Sequence, residues 1–313
     1  MQYGFGVDLG GTAVKFAFFD KQGTMLDKWE IPTVTADHGS RILPDIAASI
    51  LSYIQNKNIS RETVLGIGMG VPGPVDHNGV VNKCNNLGWG VFNVAQALSQ
   101  LTGFSVKAGN DATAAAVGEC WKGSGSGCEN MLLVTLGTGV GGGVIIDGKP
   151  VYGAGGSAGE IGHIVLNRNE KEPCTCGKYG CAEQYCSATG IVRTAKRYLE
   201  NNHTPSPLRD IPDFTCKDIF DAAAAADKAA ICILEQVYDK MAEFLADVCC
   251  VLDPDIVVIG GGVSKAGDVL IQGIRRHFPK YIFHSISDVR FSIATLGNDA
   301  GTYGAFKLLL QSL

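Results

Sequence analysis

The chain has 313 residues, 46% of them hydrophobic and only 18% charged, which excludes a disordered chain. A net charge of −5 excludes a strong non-specific binder of nucleic acid or anionic lipid. The 41 glycines, about 13% against the usual ~7%, follow no Gly-X-Y period and come with 11 prolines, which excludes collagen.

In chain order, strands are predicted over Tyr3–Asp8, Ala13–Phe19 and Met25–Ile31, joined by the turns Leu9-Gly10-Gly11-Thr12 and Asp20-Lys21-Gln22-Gly23. Residues 40–56 read as a helix, with Ile42, Ile46, Ile50 and Ile54 at intervals of four. A strand over Val64–Val71 ends in Pro72-Gly73-Pro74. Asn93 is placed to cap a helix through Leu101, closed by Gly103. A strand at Phe104–Ala108 leads into an Ala-rich helix over 111–122. The pattern then repeats: a strand at Met131–Leu136, a Gly/Thr turn at 137–143, a strand at Val144–Asp147 and a third from Val151. This strand–turn–strand–turn–strand unit recurs about 127 residues after the first, which suggests two related halves. A Cys-rich loop (174–186), helices between 188 and 252, a strand at Asp255–Ile259, a helix near 267–278, a strand at 290–296 and a helix at 299–311 follow. The alternation is an α/β pattern.

Met1–Thr12 carries Asp8 and no Lys or Arg, so it does not read as a signal peptide. Met131–Ile146 is too short and too glycine-rich for a membrane span. Eleven cysteines without a secretion signal suggest reduced thiols, and the odd count argues against complete disulfide pairing. A cytoplasmic protein without nucleic-acid or membrane partners is expected.

Two glycine turns suit phosphate, because backbone N–H groups without a Cβ in the way can approach an anion closely, although a single such turn could equally be a tight hairpin. They are Asp8-Leu9-Gly10-Gly11-Thr12 and Gly137-Thr138-Gly139-Val140-Gly141-Gly142-Gly143, and Asp8 could hold hydrated Mg²⁺. Gly137, Gly139 and Gly142 match G-x-G-x-x-G, as do Gly68, Gly70 and Gly73. The first set runs into a strand and the second into prolines, so neither opens the helix that a dinucleotide fold needs. No P-loop motif is present. Asn110-Asp111 falls where a strand gives way to a helix. Asp111 there could take a proton from an attacking hydroxyl, or merely cap the helix.

His163, Cys174, Cys176 and Cys181 offer one imidazole and three thiolates, a closed tetrahedral shell for structural Zn²⁺, or are merely buried free cysteines. Glu160 and Glu183 flank these ligands and could face a polyhydroxyl ligand, or be surface charge. The remaining eight cysteines lack such spacing.

Asp8-Leu9-Gly10-Gly11-Thr12, Gly70-Val71-Pro72-Gly73-Pro74, Gly109-Asn110-Asp111-Ala112, Gly137-Thr138-Gly139-Val140-Gly141-Gly142-Gly143, Gly159-Glu160-Ile161-Gly162-His163 and Cys174-x-Cys176-Gly177-x-x-Gly180-Cys181-x-Glu183 occur in one order. Together they resemble the ROK family (repressor, open reading frame, kinase) of the actin-like ATPase superfamily, over essentially the whole chain. The appearance is that of bacterial ROK glucokinases. The resemblance implies an α/β fold of two ribonuclease H-like domains around a central cleft, each a βββαβαβα mixed sheet with helices. The smaller would span 1–110, joined by the C-terminal helix 299–313, and the larger 111–298 would carry the zinc knuckle. ATP and Mg²⁺ would be held by Asp8, Gly10, Gly11, Thr12, Lys15, Gly137, Thr138, Gly139, Gly261 and Gly262, with adenine near Gly260–Val263. The sugar would meet Gly73, Asn110, Asp111, Glu160, His163 and Glu183, with Asp111 the general base toward a hexose 6-hydroxyl. Asn86-Leu87-x-Trp89 matches a family segment that runs near the sugar.

The family also contains repressors with an N-terminal helix-turn-helix, for which a phosphate turn beginning at residue 8 leaves no room. The implied activity is glucose phosphorylation, in carbohydrate metabolism at the level of glycolysis. The alternatives are a kinase for N-acetylmannosamine or another hexose or amino sugar, a non-catalytic sugar sensor, and an actin-like ATPase acting on a protein partner. A homo-oligomer, dimer or tetramer, is implied by the resemblance alone.

Overall fold

The structure, a computed structural model, describes residues 1–286 and 288–313, with every side chain among them except those of Lys83 and Asn85. The first three strands, β1 (Tyr3–Leu9), β2 (Ala13–Asp20) and β3 (Met25–Pro32), form the antiparallel meander that the turn signals predict. A single turn, α1 (Ala36–Gly39), and the helix α2 (Ile42–Asn56) follow. The four-residue spacing in α2 does what it implies, since Ile42, Ile46, Ile50 and Ile54 are all buried. Strand β4 (Val64–Val71) runs parallel to β1. A hairpin, β5 (Val80–Cys84) and β6 (Trp89–Asn93), precedes α3 (Val94–Thr102). Asn93 caps α3 through its side chain, which accepts from Gln96 N, and Gly103 closes it in the left-handed conformation. Strand β7 (Val106–Asn110), parallel to β4, leads straight into α4 (Asp111–Lys122).

The second run of strands is β8 (Met131–Leu136), β9 (Val140–Ile146) and β10 (Lys149–Pro150). A short helix α5 (Glu183–Cys186) is followed by α6 (Ala188–Asn201), α7 (Cys216–Ala224) and α8 (Lys228–Leu252). Then come β11 (Ile256–Gly260), α9 (Asp268–His277), β12 (Arg290–Ile293) and α10 (Ala300–Ser312). The strands make two five-stranded sheets, in the orders β3-β2-β1-β4-β7 and β10-β9-β8-β11-β12, plus the hairpin. The matched orders are the structural form of the repeat seen in the sequence.

Three local expectations change. Gly141, Gly142 and Gly143 belong to β9 and not to the preceding turn. The strand expected from Val151 is only the two residues of β10, just before it. The β5–β6 hairpin was not foreseen.

The chain divides into two compact units: unit 1 comprises 1–129, 143–159 and 295–313, and unit 2 comprises 130–142 and 160–294. The expected division after residue 110 differs from this, because α4 lies with unit 1. The reason is close packing of α4 on α10. A Cβ on Gly304 would fall 1.6 Å from Ala114 O, and one on Gly118 would fall 2.2 Å from Ala300 O. The core of unit 1 holds Phe5, Val7, Phe16, Ile46, Ile50, Ile67 and Met69, each essentially without exposure. A smaller cluster of Ala17, Phe19, Phe306 and Leu309 packs α10 onto the sheet. In unit 2, β11 is buried along its length, and α8 turns Ile233, Val237, Met241 and Leu245 inward.

Candidate functional site

In unit 1, parallel pairing lines up the carboxyl ends of three strands: Asp8 lies opposite Gly70, and Val71 opposite Asn110. Crevices at such strand ends are where α/β sheets take ligands. Asp8 is half-buried, and burial raises its carboxyl above the usual range, offset in part by Lys15 directly across the β1–β2 ladder. The turn after β1 is tied at its base, with Gly10 N donating to Ala13 O at 3.0 Å and Thr33 Oγ1 to Gly10 O at 2.7 Å. A Cβ on Gly11 would meet nothing within 4 Å, so the tip of the turn is open to a ligand.

At the end of β7 the two polar residues divide their work. Asn110 is the N-cap of α4: its Oδ1 accepts from Thr113 N at 3.0 Å. Its Nδ2 donates to Gly73 O and to Asp111 Oδ1, each at 3.0 Å. Asp111 Oδ1 also accepts from Ala112 N at 2.8 Å. Capping is therefore done by Asn110, and Asp111 is oriented beside it. The structure thus joins Gly73, Asn110 and Asp111 through one side chain.

In unit 2, the turn between β8 and β9 holds Gly137, Thr138 and Gly139, with Gly137 N donating to Gly139 O at 3.0 Å. It is anchored to the start of α6, where Ala188 N donates to Gly137 O and Thr189 Oγ1 to Thr138 O, both at 2.8 Å. A Cβ on Gly139 would come within 2.4 Å of Glu183 Oε2, so a larger residue there would displace that carboxylate. Gly261 has φ of +82° and sits against Leu136 O, 2.5 Å from where its Cβ would be. The Gly261-Gly262 segment and the Gly137 turn thus share one edge of the second sheet, as the pairing of Gly260 with Thr135 requires.

His163, Cys174, Cys176 and Cys181 converge, their ligand atoms all within 4.8 Å of one another. Cys176 Sγ to Cys181 Sγ is 3.7 Å and Cys174 Sγ to His163 Nδ1 is 3.8 Å. A tetrahedron with Zn–S bonds of ~2.3 Å has edges of about 3.8 Å, so these residues fit zinc. Burial and the neighbouring thiols push Cys181 up to about 12, a set that a divalent cation would allow to ionise together. Glu183 sits against this loop. Its Oε1 accepts from Thr175 Oγ1 at 2.6 Å and Cys174 Sγ at 3.6 Å, and its Oε2 from Val140 N at 3.1 Å. One carboxylate thereby links the knuckle to the glycine turn. Glu160 is exposed, one residue before the 3-10 turn that carries His163.

Several participants escaped the sequence reading. Gln184 Oε1 accepts from Gly180 N at 2.7 Å and Cys181 N at 3.2 Å, steadying the last cysteine. Glu170 is buried and paired with Arg193 and Arg197, and the Arg197 hydrogen bonds hold its carboxyl far below the usual range. A pocket of about 510 Å³, lined in part by Phe220, Ala224, Tyr238, Lys265 and Val269, lies at the end of the 3-10 turn Gly262–Ala266. The buried Tyr238 hydroxyl has no hydrogen-bond partner among the described residues. No helix among the described residues is long and apolar enough to cross a membrane.

Comparison with known proteins agrees with this arrangement. The sequence model of the ROK family matches residues 4–312. A glucokinase of Halalkalibacterium halodurans is 43% identical over 312 residues, covering 98% of this chain and 94% of that protein. An N-acetylgalactosamine kinase of Shewanella sp. is 33% identical, covering 96% of this chain and 94% of that one. Among solved structures, a ROK family glucokinase from Streptomyces griseus in complex with glucose and AMPPNP is 30% identical, with a TM-score of 0.78 and 99% of each chain covered. Family match, sheet order and knuckle agree: the chain belongs to the ROK family and has its mixed α/β, actin-like ATPase fold.

Proposed function

We propose that this chain is an ATP-dependent hexose kinase, transferring the γ-phosphoryl group of ATP to the 6-hydroxyl of glucose to give glucose 6-phosphate and ADP. The observation that carries this reading is the division of labour at Asn110 and Asp111. Asn110 caps α4 and hydrogen-bonds Asp111, which holds the carboxylate at a strand end in the orientation a general base needs. Asp111 takes the 6-hydroxyl proton as that oxygen bonds to the γ-phosphorus and the bond to the β-phosphate oxygen breaks. The 43% identical glucokinase supports glucose as the acceptor.

The other roles follow the same residues. Gly73, Asn110, Glu160, His163 and Glu183 bind the sugar, with His163 Nε2 turned to a hydroxyl while Nδ1 faces the thiols. Gly10, Gly11, Thr12 and Lys15, and Gly137, Thr138 and Gly139, hold the phosphates through backbone N–H groups and charge. Asp8 would hold Mg²⁺ through its waters, and the cation would neutralise phosphate charge. The adenosine lies by Gly261 and Gly262, in the pocket under α7 and α8. His163, Cys174, Cys176 and Cys181 would hold Zn²⁺, which supplies a rigid loop and no open coordination position. The protein works in the cytoplasm, in glycolysis, as a homo-oligomer; a single monomeric species in sedimentation across micromolar concentrations would contradict the last point.

A second reading, phosphorylation of an N-acetylhexosamine, is favoured by the 33% identical N-acetylgalactosamine kinase. Coupled ADP release across glucose, mannose, fructose, allose, N-acetylmannosamine, N-acetylglucosamine and N-acetylgalactosamine decides. The account expects the highest kcat/KM with glucose. A higher value with an acetylated sugar moves the substrate to the second reading, and no ADP release with any sugar points to a sensor.

A further inference from the structure

Glu119 is a glutamate with no exposure at all, in the last turn of α4. Its side chain accepts four hydrogen bonds. Oε2 accepts from Ser124 N at 3.0 Å, Ser124 Oγ at 3.3 Å and Thr295 N at 3.2 Å, and Oε1 from Leu296 N at 2.8 Å. Its main-chain carbonyl accepts two more, from Gly123 N and Gly125 N, both at 3.0 Å. Every partner is a donor, and these hydrogen bonds offset the cost of burying the polar group.

The partners are not scattered. Residues 123–125 begin the segment along which the chain leaves unit 1, crossing to unit 2 after Glu129. Thr295 and Leu296 are the first two residues after the chain's last return to unit 1, residues 143–159 being an earlier one. One carboxylate therefore fastens an outgoing and a returning segment together, Thr295 and Leu296 lying 176 and 177 residues beyond Glu119 itself. Apolar packing alone would have bound these segments without fixing three backbone N–H groups to one point.

We propose that Glu119 is a positioning residue of the kinase: it clasps the segment after α4 to the segment before α10, both within unit 1, and so holds α4, which carries Asp111 at its start. The inference rests on the hexose kinase reading for its effect on rate, and on hydrogen exchange for the clasp itself. Phosphoryl transfer depends on positioning to a fraction of an ångström, so a loosened clasp lowers turnover without removing any group that touches substrate. Glu119→Gln is the informative change. It keeps the shape but turns an –NH₂ toward donors that an oxygen now satisfies.

The test compares Glu119→Gln with Phe19→Leu, which disturbs the Phe19–Phe306 cluster and leaves the clasp intact. Hydrogen exchange is measured on the intact proteins, and kcat and KM are measured at 25 °C. In Glu119→Gln, amide exchange rises at least tenfold at Ser124, Thr295 and Leu296 together. Its kcat falls about tenfold while the KM for glucose stays within threefold. Phe19→Leu, even with an equal fall in melting temperature, keeps kcat within twofold and leaves those amides protected. Unchanged exchange at either segment, or a kcat loss that merely tracks melting temperature across both variants, overturns the proposal. Should the wild-type chain phosphorylate no hexose, the kinase reading fails, and exchange alone then supports or overturns the clasp.

Discussion

Asn110 and Asp111 show how a single hydrogen-bond assignment decides a functional reading. In sequence the two are interchangeable as helix caps. In the structure Asn110 Oδ1 takes Thr113 N, and its amide spans Gly73 O and Asp111 Oδ1. Glu183 is the opposite case. The sequence places it two residues after Cys181, but its reach to Val140 N across the knuckle is a tertiary contact that no spacing reveals. The close approach of Gly139 to Glu183 Oε2, 2.4 Å from an added Cβ, makes Gly139→Ala a sharp probe. The methyl group displaces that carboxylate and the turn, and kcat/KM in the ADP-release assay falls about 10²-fold, the scale of a 1 Å misplacement. Gln184→Ala removes the acceptor for Gly180 N and Cys181 N. It weakens zinc retention about tenfold in a chelator competition.

At the scale of elements, strongly patterned segments were legible. The Ile42, Ile46, Ile50 and Ile54 stripe, the Asn93 cap with Gly103, and the strand at Val64–Val71 are local signals, and α2, α3 and β4 follow them. The β5–β6 hairpin was not legible, since its strands are short and mixed in polarity, and β9 begins inside glycines that read as a turn. The knuckle was legible because ligand chemistry fixes spacing. Cys176→Ser should drop bound zinc from about one per chain toward zero by elemental analysis, and lower the melting temperature.

Its support was not legible: Glu170 lies in a loop and Arg193 and Arg197 on α6, and they meet only in the fold. The carboxyl of Glu170 is depressed in the folded state, so the stability it contributes is present above the unfolded value of about 4.3. That stability is lost as pH falls through the lower folded value. Glu170→Gln is therefore less stable than wild type by about 3 kcal/mol at pH 7, and the gap closes toward acid in urea titrations.

For the whole molecule, the repeat in the sequence becomes two sheets with the same strand order, each with a glycine turn after its first strand. The division into units was less legible. Whether α4 belongs with the first sheet or the second is decided by Gly118 and Gly304 packing it onto α10, a contact between residues 186 apart in sequence. As a protein that binds a sugar only when folded, it should gain stability with glucose. At a hundred times Kd the gain is about 2.7 kcal/mol, read as a rise in melting temperature that ribose does not reproduce.

The central claim is a hexose kinase with Asp111 as the base, and the direct test is turnover of Asp111→Asn beside its glucose affinity by calorimetry. The account predicts wild-type formation of glucose 6-phosphate, a kcat lower by about 10²–10⁴-fold in Asp111→Asn, and glucose affinity within a few-fold of wild type. Near-normal turnover in Asp111→Asn would contradict it.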